Sequence, residues 1–501
     1  MKTIDISPLI FGLIAACSLI ACGESDANGT GGLGATQLPG PISLLDAEDG
    51  GLPSGIVSVV DVFKGDFNAM AERRLIRALI VPNRTAYFFD GVDQKGTGFE
   101  ALKLFEEQVN KNLKTGRLGV YLLVIPTTRD RLIPDLLEGY GDIAAANLTI
   151  TPERQELVEF TNSFLSTSEI IVSGPKAPQI SSFEDLAGQE VFVRRSSSYW
   201  ESLERLNAEF DRQGKKKIRL KAADEILETE DVLEMVNAGL VPITVADSYL
   251  AEFWGQIFDN IKPHPELAIR TGGEIAWAFR KNSPELEAVL NRFVKGHKKG
   301  TLTGNILYKR YYQNTKFVRN SLANEDYRRF EETMKFFQEY AGQYDFDWLM
   351  IAAQGYQESR LDQSTRSKAG AIGVMQLLKS TANDPNVAIP NIEELEPNIH
   401  AGVKYLRFLV DHYFDEPGLD PVNRHLFGFA SYNAGPNRIQ RLRKKTAEKG
   451  LDPNVWFRNV EVVVAHDVGR EPVRYVSNIY KYYLSYRLLL EQERRRMKAK
   501  S

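Results

Sequence analysis

Apolar strand-like segments alternate with amphipathic helix-like segments between residues 74 and 150, and this order restricts the fold more than any other feature of the sequence. "RLIRALIV", which starts at Arg74, reads as a short buried strand, and "GFEALKLFEEQVNK" (Gly98 to Lys111) carries apolar residues at helical spacing. "GVYLLVIP", the helix-like "RDRLIPDLLEGY" and "DIAAANLTI" follow in that order. Strand, helix, strand, helix, strand predicts a parallel α/β lobe.

A second lobe is predicted after "FLSTSEIIVSG". "SFEDLAGQEVFVR" opens it, "VPITVADSYLAEFW" closes it, and the segment Gly272 to Gly300 reads as a strand and a helix that return to the first lobe. Two α/β lobes joined by crossing strands enclose a cleft, and such a cleft is a natural ligand site.

The length of 501 residues is too great for one hydrophobic core, so more than one domain is expected. Beyond the α/β pattern, residues 324–344 read as a polar amphipathic helix. The more apolar "DFDWLMIAAQGYQES" then begins at Asp345, and either Asp345 or Asp347 is a credible N-cap for a helix that is buried on more than one face. A mainly helical domain is therefore predicted to follow the two lobes.

The composition excludes several functional classes. Hydrophobic residues make up 43% and charged residues 26%, so the bulk of the chain is neither disordered nor a multi-span membrane protein. A net charge of −4 gives no signal for a nucleic-acid partner, and none is predicted. The six histidines show no His-Glu-x-x-His pairing and no phosphate-binding loop occurs, so neither a metal nor a cofactor is predicted.

The amino terminus has the order of a secretory signal: Lys2, a largely apolar stretch, and then the polar "GESDANGTGG". "LIAC", which ends at Cys22, resembles a bacterial lipobox and implies lipidation of that cysteine. "IAAC", which ends at Cys17, is a second candidate, and cleavage by an ordinary signal peptidase is the alternative. Because Gly23 rather than an aspartate follows Cys22, the resemblance implies an outer-membrane lipoprotein that faces the periplasm.

The segment "GDIAAANLTITPERQELVEFTNSFLST" (Gly141 to Thr167) resembles family-3 extracellular solute-binding proteins, and the similarity covers roughly residues 74–310. The resemblance implies that Arg154, in "TPER", pairs with a ligand carboxylate, because a planar guanidinium matches a carboxylate in geometry and charge. A structural salt bridge from Arg154 to the neighbouring Glu153 or Glu156 is the alternative.

The same resemblance places three more residues at the ligand. Asn147 and Thr149 would border it, and Asp247, in "VADSYL", would face an ammonium group. A loop cap is the alternative role for Asp247. Asn147 occupies a position that is commonly glycine in the amino-acid binders, so the ligand need not be a free amino acid, and a cell-wall peptide is the second candidate.

Glu358 is a lone carboxylate near the end of the predicted buried helix. Burial penalises the charged form of a carboxylate and raises its pKa, and the negative end of a helix acts in the same direction. Such a group stays protonated near neutral pH and can donate its proton to a leaving oxygen, as the general acids of glycosidases do.

Three ordered motifs carry a second resemblance. "ESRLDQSTRSKAGAIGVMQLLKSTA" from Glu358, "FASYNAGPNRIQRL" from Phe429 and "EPVRYVSNIYKYY" from Glu471 resemble the lytic transglycosylases that share the goose-type lysozyme fold. The resemblance implies that Glu358 is the catalytic acid and base. It also implies substrate-binding roles for six residues: Ser359, Met375, Gln376, Tyr432, Asn433 and Tyr475.

These six residues have individual expected roles. Ser359 would hydrogen-bond within the site, Met375 and Gln376 would line the sugar groove, and Tyr432 and Asn433 would position the substrate's acetamido group. Tyr475 would lie near the catalytic carboxylate. Core packing is the alternative for Met375, and a buried phenol satisfied by the backbone is the alternative for Tyr432.

The resemblance implies cleavage of the β-1,4 bond between N-acetylmuramic acid and N-acetylglucosamine in peptidoglycan, with 1,6-anhydromuramoyl ends formed without water. The first domain would sense cell-wall peptides and regulate that activity. Two alternatives stay open. Asp362 as a second carboxylate would make the protein a hydrolytic muramidase, and a chain without catalysis would be a peptidoglycan- or amino-acid-binding lipoprotein.

The predicted organisation has four parts. Residues 1–22 form a signal peptide with a lipobox cysteine, and residues 23–70 form a flexible tether rich in glycine, proline and acidic residues. Residues 71–312 form the two-lobed α/β domain of the periplasmic-binding-protein type. Residues 313–501 form the mainly α, lysozyme-like transglycosylase domain.

Overall fold

The computed structural model describes residues 61–90, 93–320 and 324–500, and it contains the two predicted kinds of domain. The predicted signal peptide with Cys17 and Cys22, and the tether up to residue 60, lie outside the described residues. A two-lobed α/β domain comes first and a helical domain follows, so the predicted fold class is confirmed.

A mixed sheet runs through both lobes of the first domain in the order β4-β1-β5-β11-β7-β10-β8-β9, and β6 pairs with β11. Strands β1, β4 and β5 are parallel, whereas β11 runs antiparallel to both β5 and β7. The strands are β1 (Leu75–Ile80), β2 (Phe88–Asp90), β3 (Asp93–Lys95), β4 (Tyr121–Pro126), β5 (Ile143–Thr149), β6 (Glu159–Phe160), β7 (Leu165–Ser173), β8 (Glu190–Arg194), β9 (Arg219–Ala223), β10 (Ile243–Asp247) and β11 (Lys262–Phe279).

Two strands cross from one lobe to the other, as the sequence predicted. The 18-residue β11 pairs with β5 in the first lobe and along its length with β7, which in turn pairs with β10 in the second lobe. Helices cover the sheet: α1 (Phe67–Glu72), α2 (Thr97–Leu113), α3 (Arg129–Glu138), α4 (Pro152–Gln155), α5 (Ser198–Arg212), α6 (Thr229–Asn237), α7 (Ser248–Trp254), α8 (Pro284–His297), α9 (Leu302–Tyr312) and α10 (Lys316–Asn320).

Residues 61–70 belong to the first domain, which corrects the predicted end of the tether at residue 70. Asp66 caps α1 by accepting a hydrogen bond from the Phe67 amide at 2.7 Å. Phe67 and Met70 are buried in the domain core because they place their side chains on the inner face of that short helix. The glycine-rich and proline-rich composition that indicated a tether ends before these residues.

Asp142 is the electrostatic centre of the first lobe. It is fully buried and accepts hydrogen bonds or ion pairs from the guanidinium groups of Arg73, Arg77 and Arg280, with Arg77 at 3.2 Å and Arg280 at 3.3 Å. The Arg77 amide donates to the same carboxylate at 2.8 Å. These contacts join β1 to the end of β11 and to the start of β5.

The second domain, in the part that the structure describes, is built from helices joined by loops. Its helices are α11 (Asn324–Gln343), α12 (Trp348–Ser359), α13 (Lys379–Ala382), α14 (Leu395–Phe414), α15 (Pro421–Ala434), α16 (Pro436–Glu448), α17 (Glu461–Asp467) and α18 (Arg470–Lys500), and a kinked turn at Trp456–Val460 precedes α17. Helix α12 is surrounded by the others, and Leu349 through Gly355 are buried. Asp347 caps it by accepting from the Leu349 amide at 2.9 Å, which decides between the two candidate caps.

We expect Asp142→Asn to destabilise the first domain by about 3 kcal/mol, because three guanidinium groups would lose their shared counter-charge inside the protein. Chemical denaturation followed by fluorescence measures the change. Asp411→Asn is the matched control, since its ion pair with Arg407 lies at the surface and Asp411 is 60% exposed; its loss should cost less than about 0.5 kcal/mol. Equal effects of both substitutions would contradict the role of Asp142.

Candidate active site

The end of helix α12 presents Glu358 to a loop that folds back over the helix. The helix stops because Arg360 and Leu361 both adopt left-handed backbone conformations, with φ of 57° and 62°. Gly355 lies one turn before Glu358, and a Cβ there would stand 2.7 Å from the ring of Phe337. The last turn can therefore pack against α11 only with glycine at this position.

The loop after α12 is held in place by buried amides. Ser359 Oγ donates to the carbonyl of Val374 at 2.9 Å, so the helix end is tied directly to the "GVMQ" segment. The amide of Val374 donates to Gln363 Oε1 at 3.0 Å, and the amide of Met375 donates to Asn398 Oδ1 at 2.8 Å. At Gly373, φ is +76° and a Cβ would come within 2.6 Å of the Gln363 and Asn398 side chains, so the close approach requires glycine.

Glu358 is a partly buried carboxylate with a raised pKa. Burial raises the pKa of Glu358 to about 7, the hydrogen bond from Tyr475 opposes that shift, and the nearby charge of Glu471 adds to it. Tyr475 Oη donates to Glu358 Oε1 at 2.5 Å. A substantial fraction of Glu358 is therefore protonated at neutral pH, as the sequence predicted from burial.

Two neighbours of Glu358 were not predicted as site residues. Gln354 is fully buried one turn earlier on α12 and donates through Nε2 to Tyr475 Oη at 3.3 Å, so it orients the phenol toward the carboxylate. Glu471 accepts from Asn433 Nδ2 at 2.8 Å and contributes to the raised pKa of Glu358. Gln354 could have been predicted from the sequence, because residues at i and i+4 of a helix share one face. Glu471 could not, because only the packing of α18 against α12 places it near Glu358.

Of the remaining predicted substrate-binding residues, Tyr432 is near enough to Glu358 to feel its charge, whereas Asn433 and Gln376 make other contacts. Tyr432 Oη donates to the carbonyl of Met375 at 2.8 Å, and burial together with the charge of Glu358 raises the pKa of Tyr432 well above its ordinary value. Asn433 Oδ1 has no hydrogen-bond partner among the described residues although it is buried. Gln376 folds back on the loop, and its Nε2 donates to the carbonyl of Gly373 at 2.8 Å.

Met375 differs from the expectation that it lines the sugar groove. Its side chain is fully buried in the domain core and lies against Gly402 of α14. Only its backbone serves the site, through the carbonyl that accepts from Tyr432. The backbone conformation of the loop directs this side chain into the core, and a sequence motif does not specify that direction.

Asp362, the second acid that the muramidase alternative requires, lies in an exposed turn. Its side chain is exposed and accepts from the amide and hydroxyl of Ser364 at 2.8 Å and 2.6 Å. These hydrogen bonds lower the pKa of Asp362 below its ordinary value. An ionised, solvent-facing turn residue of this kind stabilises the loop.

A second polar site lies in the cleft of the first domain. Arg154 is buried, donates to the carbonyls of Thr149 at 3.0 Å and Ser196 at 2.9 Å, and lies 3.4 Å from Glu201. Its ion pair is thus with Glu201 of α5 and not with the sequence neighbours that the alternative named. Thr149 faces the same cavity and accepts from Ser198 Oγ at 3.2 Å.

Asp247 is the acid of this cleft. Burial and the charge of Glu169 raise the pKa of Asp247 to about 7. Its Oδ2 accepts from Tyr199 at 3.0 Å, but its Oδ1 has no partner among the described residues. The side chain is not a loop cap, because it makes no capping hydrogen bond to helix α7.

The cleft is filled by the chain's own side chains. Arg129 of the first lobe forms a two-pronged ion pair with Glu228 of the second, at 2.9 Å and 2.7 Å, and the open volume beside it is about 40 Å³. Asn147, with φ of +50°, donates to Tyr312 of α9 at 3.0 Å. The left-handed backbone there explains why glycine suits this position and why asparagine tolerates it.

Comparison with known proteins agrees with both halves of the architecture. The Transglycosylase SLT domain model matches residues 335–454, and the model of bacterial extracellular solute-binding proteins, family 3, matches residues 89–314. A solved ancestral arginine-binding protein bound to arginine, 21% identical, superposes with a TM-score of 0.40 and covers 48% of this chain and 98% of its own.

Two curated relatives span most of the chain. Membrane-bound lytic murein transglycosylase F of Desulfosudis oleivorans is 31% identical over 420 residues, which covers 80% of this chain and 87% of that protein. The protein of the same name in Stutzerimonas stutzeri is 28% identical over 446 residues, which covers 83% and 86%.

An SLT domain whose Glu358 stands at the end of a buried helix, joined to a solute-binding domain, defines a peptidoglycan lytic transglycosylase. The chain belongs to the membrane-bound lytic murein transglycosylase F family. Across residues 61–90, 93–320 and 324–500, no helix is sufficiently long and apolar to span a membrane.

We expect Glu358→Gln to stabilise the protein increasingly as pH rises from 5 to 8. Because burial raises the pKa of Glu358 from 4.5 to about 7, the unfolded chain releases this proton at lower pH than the folded protein does, and the wild type loses stability as pH rises between those values. Glutamine does not ionise, so the advantage of the variant should be small at pH 5 and reach about 3 kcal/mol at pH 8.

Thermal unfolding of wild type and variant across this pH range measures the difference. Asp362→Asn is the control, since Asp362 is already ionised throughout and its effect should not grow with pH. A Glu358→Gln difference that is constant from pH 5 to 8 would contradict the raised pKa.

Proposed function

We propose that this lytic transglycosylase cleaves the glycosidic bond of peptidoglycan with Glu358 as the only catalytic carboxylate, and that it releases 1,6-anhydromuramoyl ends. The observation that carries the proposal is the placement of Glu358: it is partly buried at the end of α12, burial raises its pKa to about 7, and Tyr475 donates to it at 2.5 Å. Asp362, the acid that a hydrolytic muramidase would require, is an exposed turn residue.

The reaction has two proton transfers at one group. Glu358 donates its proton to the glycosidic oxygen as the bond from that oxygen to the anomeric carbon breaks, and the acetamido group of N-acetylmuramic acid stabilises that carbon. The Glu358 carboxylate then accepts the proton of the C6 hydroxyl as its oxygen bonds to the anomeric carbon. The enzyme recovers its proton, and no water is consumed.

Tyr475 and Asn433 support these steps. The phenol donates to the carboxylate oxygen and stabilises its ionised form after the first transfer. The carbonyl oxygen of Asn433 has no partner among the described residues, so it is available to accept a hydrogen bond from the acetamido N–H of the substrate.

We expect mass spectrometry of wild-type digests of peptidoglycan sacculi to find muropeptides one water lighter than hydrolysis products. Glu358→Gln should lower their formation by at least about 10²-fold, whereas the control Asp362→Asn should retain them. Fully hydrated products that depend on Asp362 would identify a muramidase. A wild-type protein that binds sacculi but releases nothing would identify a binding lipoprotein.

We further propose that Cys22 carries a lipid and holds the protein at the outer membrane. The support is the lipobox resemblance of "LIAC" and the name membrane-bound given to the relatives. One lipidated terminus attaches a chain to a leaflet without spanning it.

The first domain is proposed to sense a cell-wall peptide and to change the activity of the second. Contacts at the catalytic helix support the coupling, because the residues two positions before and two positions after Glu358 reach the first domain. Tyr356 Oη donates to Asp93 Oδ1 at 2.6 Å, and Arg360 lies 3.3 Å from the same carboxylate. A shift of strand β3 would therefore move or break the contacts that Asp93 makes with the end of α12.

The cleft connects to the same interface through Tyr312. Its phenol bonds to Asn147 in the cleft and lies 3.0 Å from Thr97 Oγ1 at the start of α2, and it is the last residue of α9, which leads toward the second domain. Since the cleft has only about 40 Å³ open, a peptide can enter only if the lobes separate and the Arg129–Glu228 pair opens. Occupancy would thus favour a different lobe arrangement.

We expect a stem tetrapeptide of peptidoglycan to change the rate of sacculus cleavage by about fivefold or more. Asp247→Asn should weaken tetrapeptide binding about tenfold, because the unpartnered Oδ1 faces the position proposed for an ammonium group. Asp211→Asn, on the exposed surface of the same lobe, is the control. Tetrapeptide binding that leaves the cleavage rate unchanged would contradict the regulation and leave the catalytic proposal intact.

A further inference from the structure

A wide groove runs between the two domains beside the catalytic helix. Its volume is about 1020 Å³, and its walls come from helix α2 and strand β4 of the first domain and from helix α18 of the second. Tyr356 and Arg360, on either side of Glu358 in sequence, line its edge. A space of this size and position can receive a part of the substrate that projects from the glycan.

The groove is strongly cationic although the chain as a whole is acidic. Nine basic and four acidic side chains line it, against a net charge of −4 for the sequence. Three of the acidic groups are already paired within the protein: Asp93 with Arg360, Glu100 with Arg310 and Glu106 with Lys481. Their charge is therefore largely cancelled at the groove surface.

Five of the cations are free to meet a ligand. They are exposed and form no ion pair with any residue in the described parts of the chain: Lys103, Lys111, Lys114, Arg470 and Arg474. Lys103, Lys111 and Lys114 belong to or follow α2, and Arg470 and Arg474 face them from α18. Unpaired like charges on opposite walls repel one another, so the groove favours an anionic occupant.

Helix α18 links this groove to the catalytic centre. Arg474, Asn478 and Lys481 line the groove at one-turn spacing, and Tyr475, on the adjoining face of the helix, contacts Glu358. The same helix therefore carries cations of the groove and the phenol that contacts Glu358.

We propose that this groove binds the acidic peptide stems of the peptidoglycan strand while the glycan lies at Glu358. The inference rests on the proposed substrate and adds a subsite formed by both domains. The carboxylates of the stem peptides would be attracted to the lysines of α2 on one wall and to the arginines of α18 on the other. The first domain then contributes directly to substrate recognition, separately from the cleft between its lobes.

The test measures binding rather than turnover, so that it does not depend on the reaction. In the Glu358→Gln background, the triple variant Lys103→Gln, Lys111→Gln and Lys114→Gln should bind sacculi about fivefold more weakly at low ionic strength, and the difference should shrink with added salt. The control triple variant removes exposed cations away from the groove: Lys176→Gln, Lys216→Gln and Lys449→Gln. It should bind as the Glu358→Gln parent does.

A second substrate tests whether the loss of binding depends on the carboxylates of the stem peptides. Sacculi whose stem carboxylates have been converted to neutral amides should bind the parent and the groove variant equally. The proposal is overturned if the groove variant binds native sacculi as tightly as its parent, or if its deficit is the same on amidated sacculi. Because binding is read without cleavage, failure of the anhydro-forming reaction would appear only in the product experiment.

Discussion

The hydrogen bond from Tyr475 to Glu358 joins the central helix of the second domain to its last helix, and the chemistry of the site depends on it. This hydrogen bond requires close packing of α12 against α18. The buried residues of α12 and the hydrogen bond between Gln354 and the Tyr475 phenol maintain that packing. Burial raises the pKa of Glu358 to about 7, and the hydrogen bond from the phenol limits that rise. A carboxyl group with this pKa can both donate and accept a proton at neutral pH.

The same two helices contact the first domain, so the candidate active site and the domain interface are built on the same elements. Tyr356 and Arg360 extend from α12 to Asp93, while Arg74 in the first domain contacts Glu461 at 2.9 Å beside α18. A movement of the first domain that displaces Asp93 or Arg74 would change contacts of α12, which carries Glu358, or of α17 beside α18. The interface thus connects the solute-binding-like domain physically to the helices of the transglycosylase domain that carry Glu358 and Tyr475.

Local patterns predicted the elements of this structure, and tertiary packing decided what the patterns left open. The alternating strands and helices, the crossing strands and the position of Glu358 at a buried helix end follow from periodicity and composition. The inward rotation of Met375, the role of Gln354 and the approach of Glu471 depend on how α12, α14 and α18 pack, which spacing does not encode. In the first domain, the pairing of Arg154 with Glu201 and of Arg129 with Glu228 likewise joins residues distant in sequence.

The central claim is that Glu358 acts without a second carboxylate and has a pKa near neutral pH. A titration of Glu358 itself tests this most directly. Carbon-13 NMR of protein labelled at the glutamate side-chain carboxyl carbon, with Glu358→Gln used to assign the resonance, gives the pKa of this one group. The account predicts a midpoint of about 7. A midpoint near the ordinary value of 4.5 would contradict it, because the carboxylate would then be ionised at neutral pH and unable to act as the proton donor.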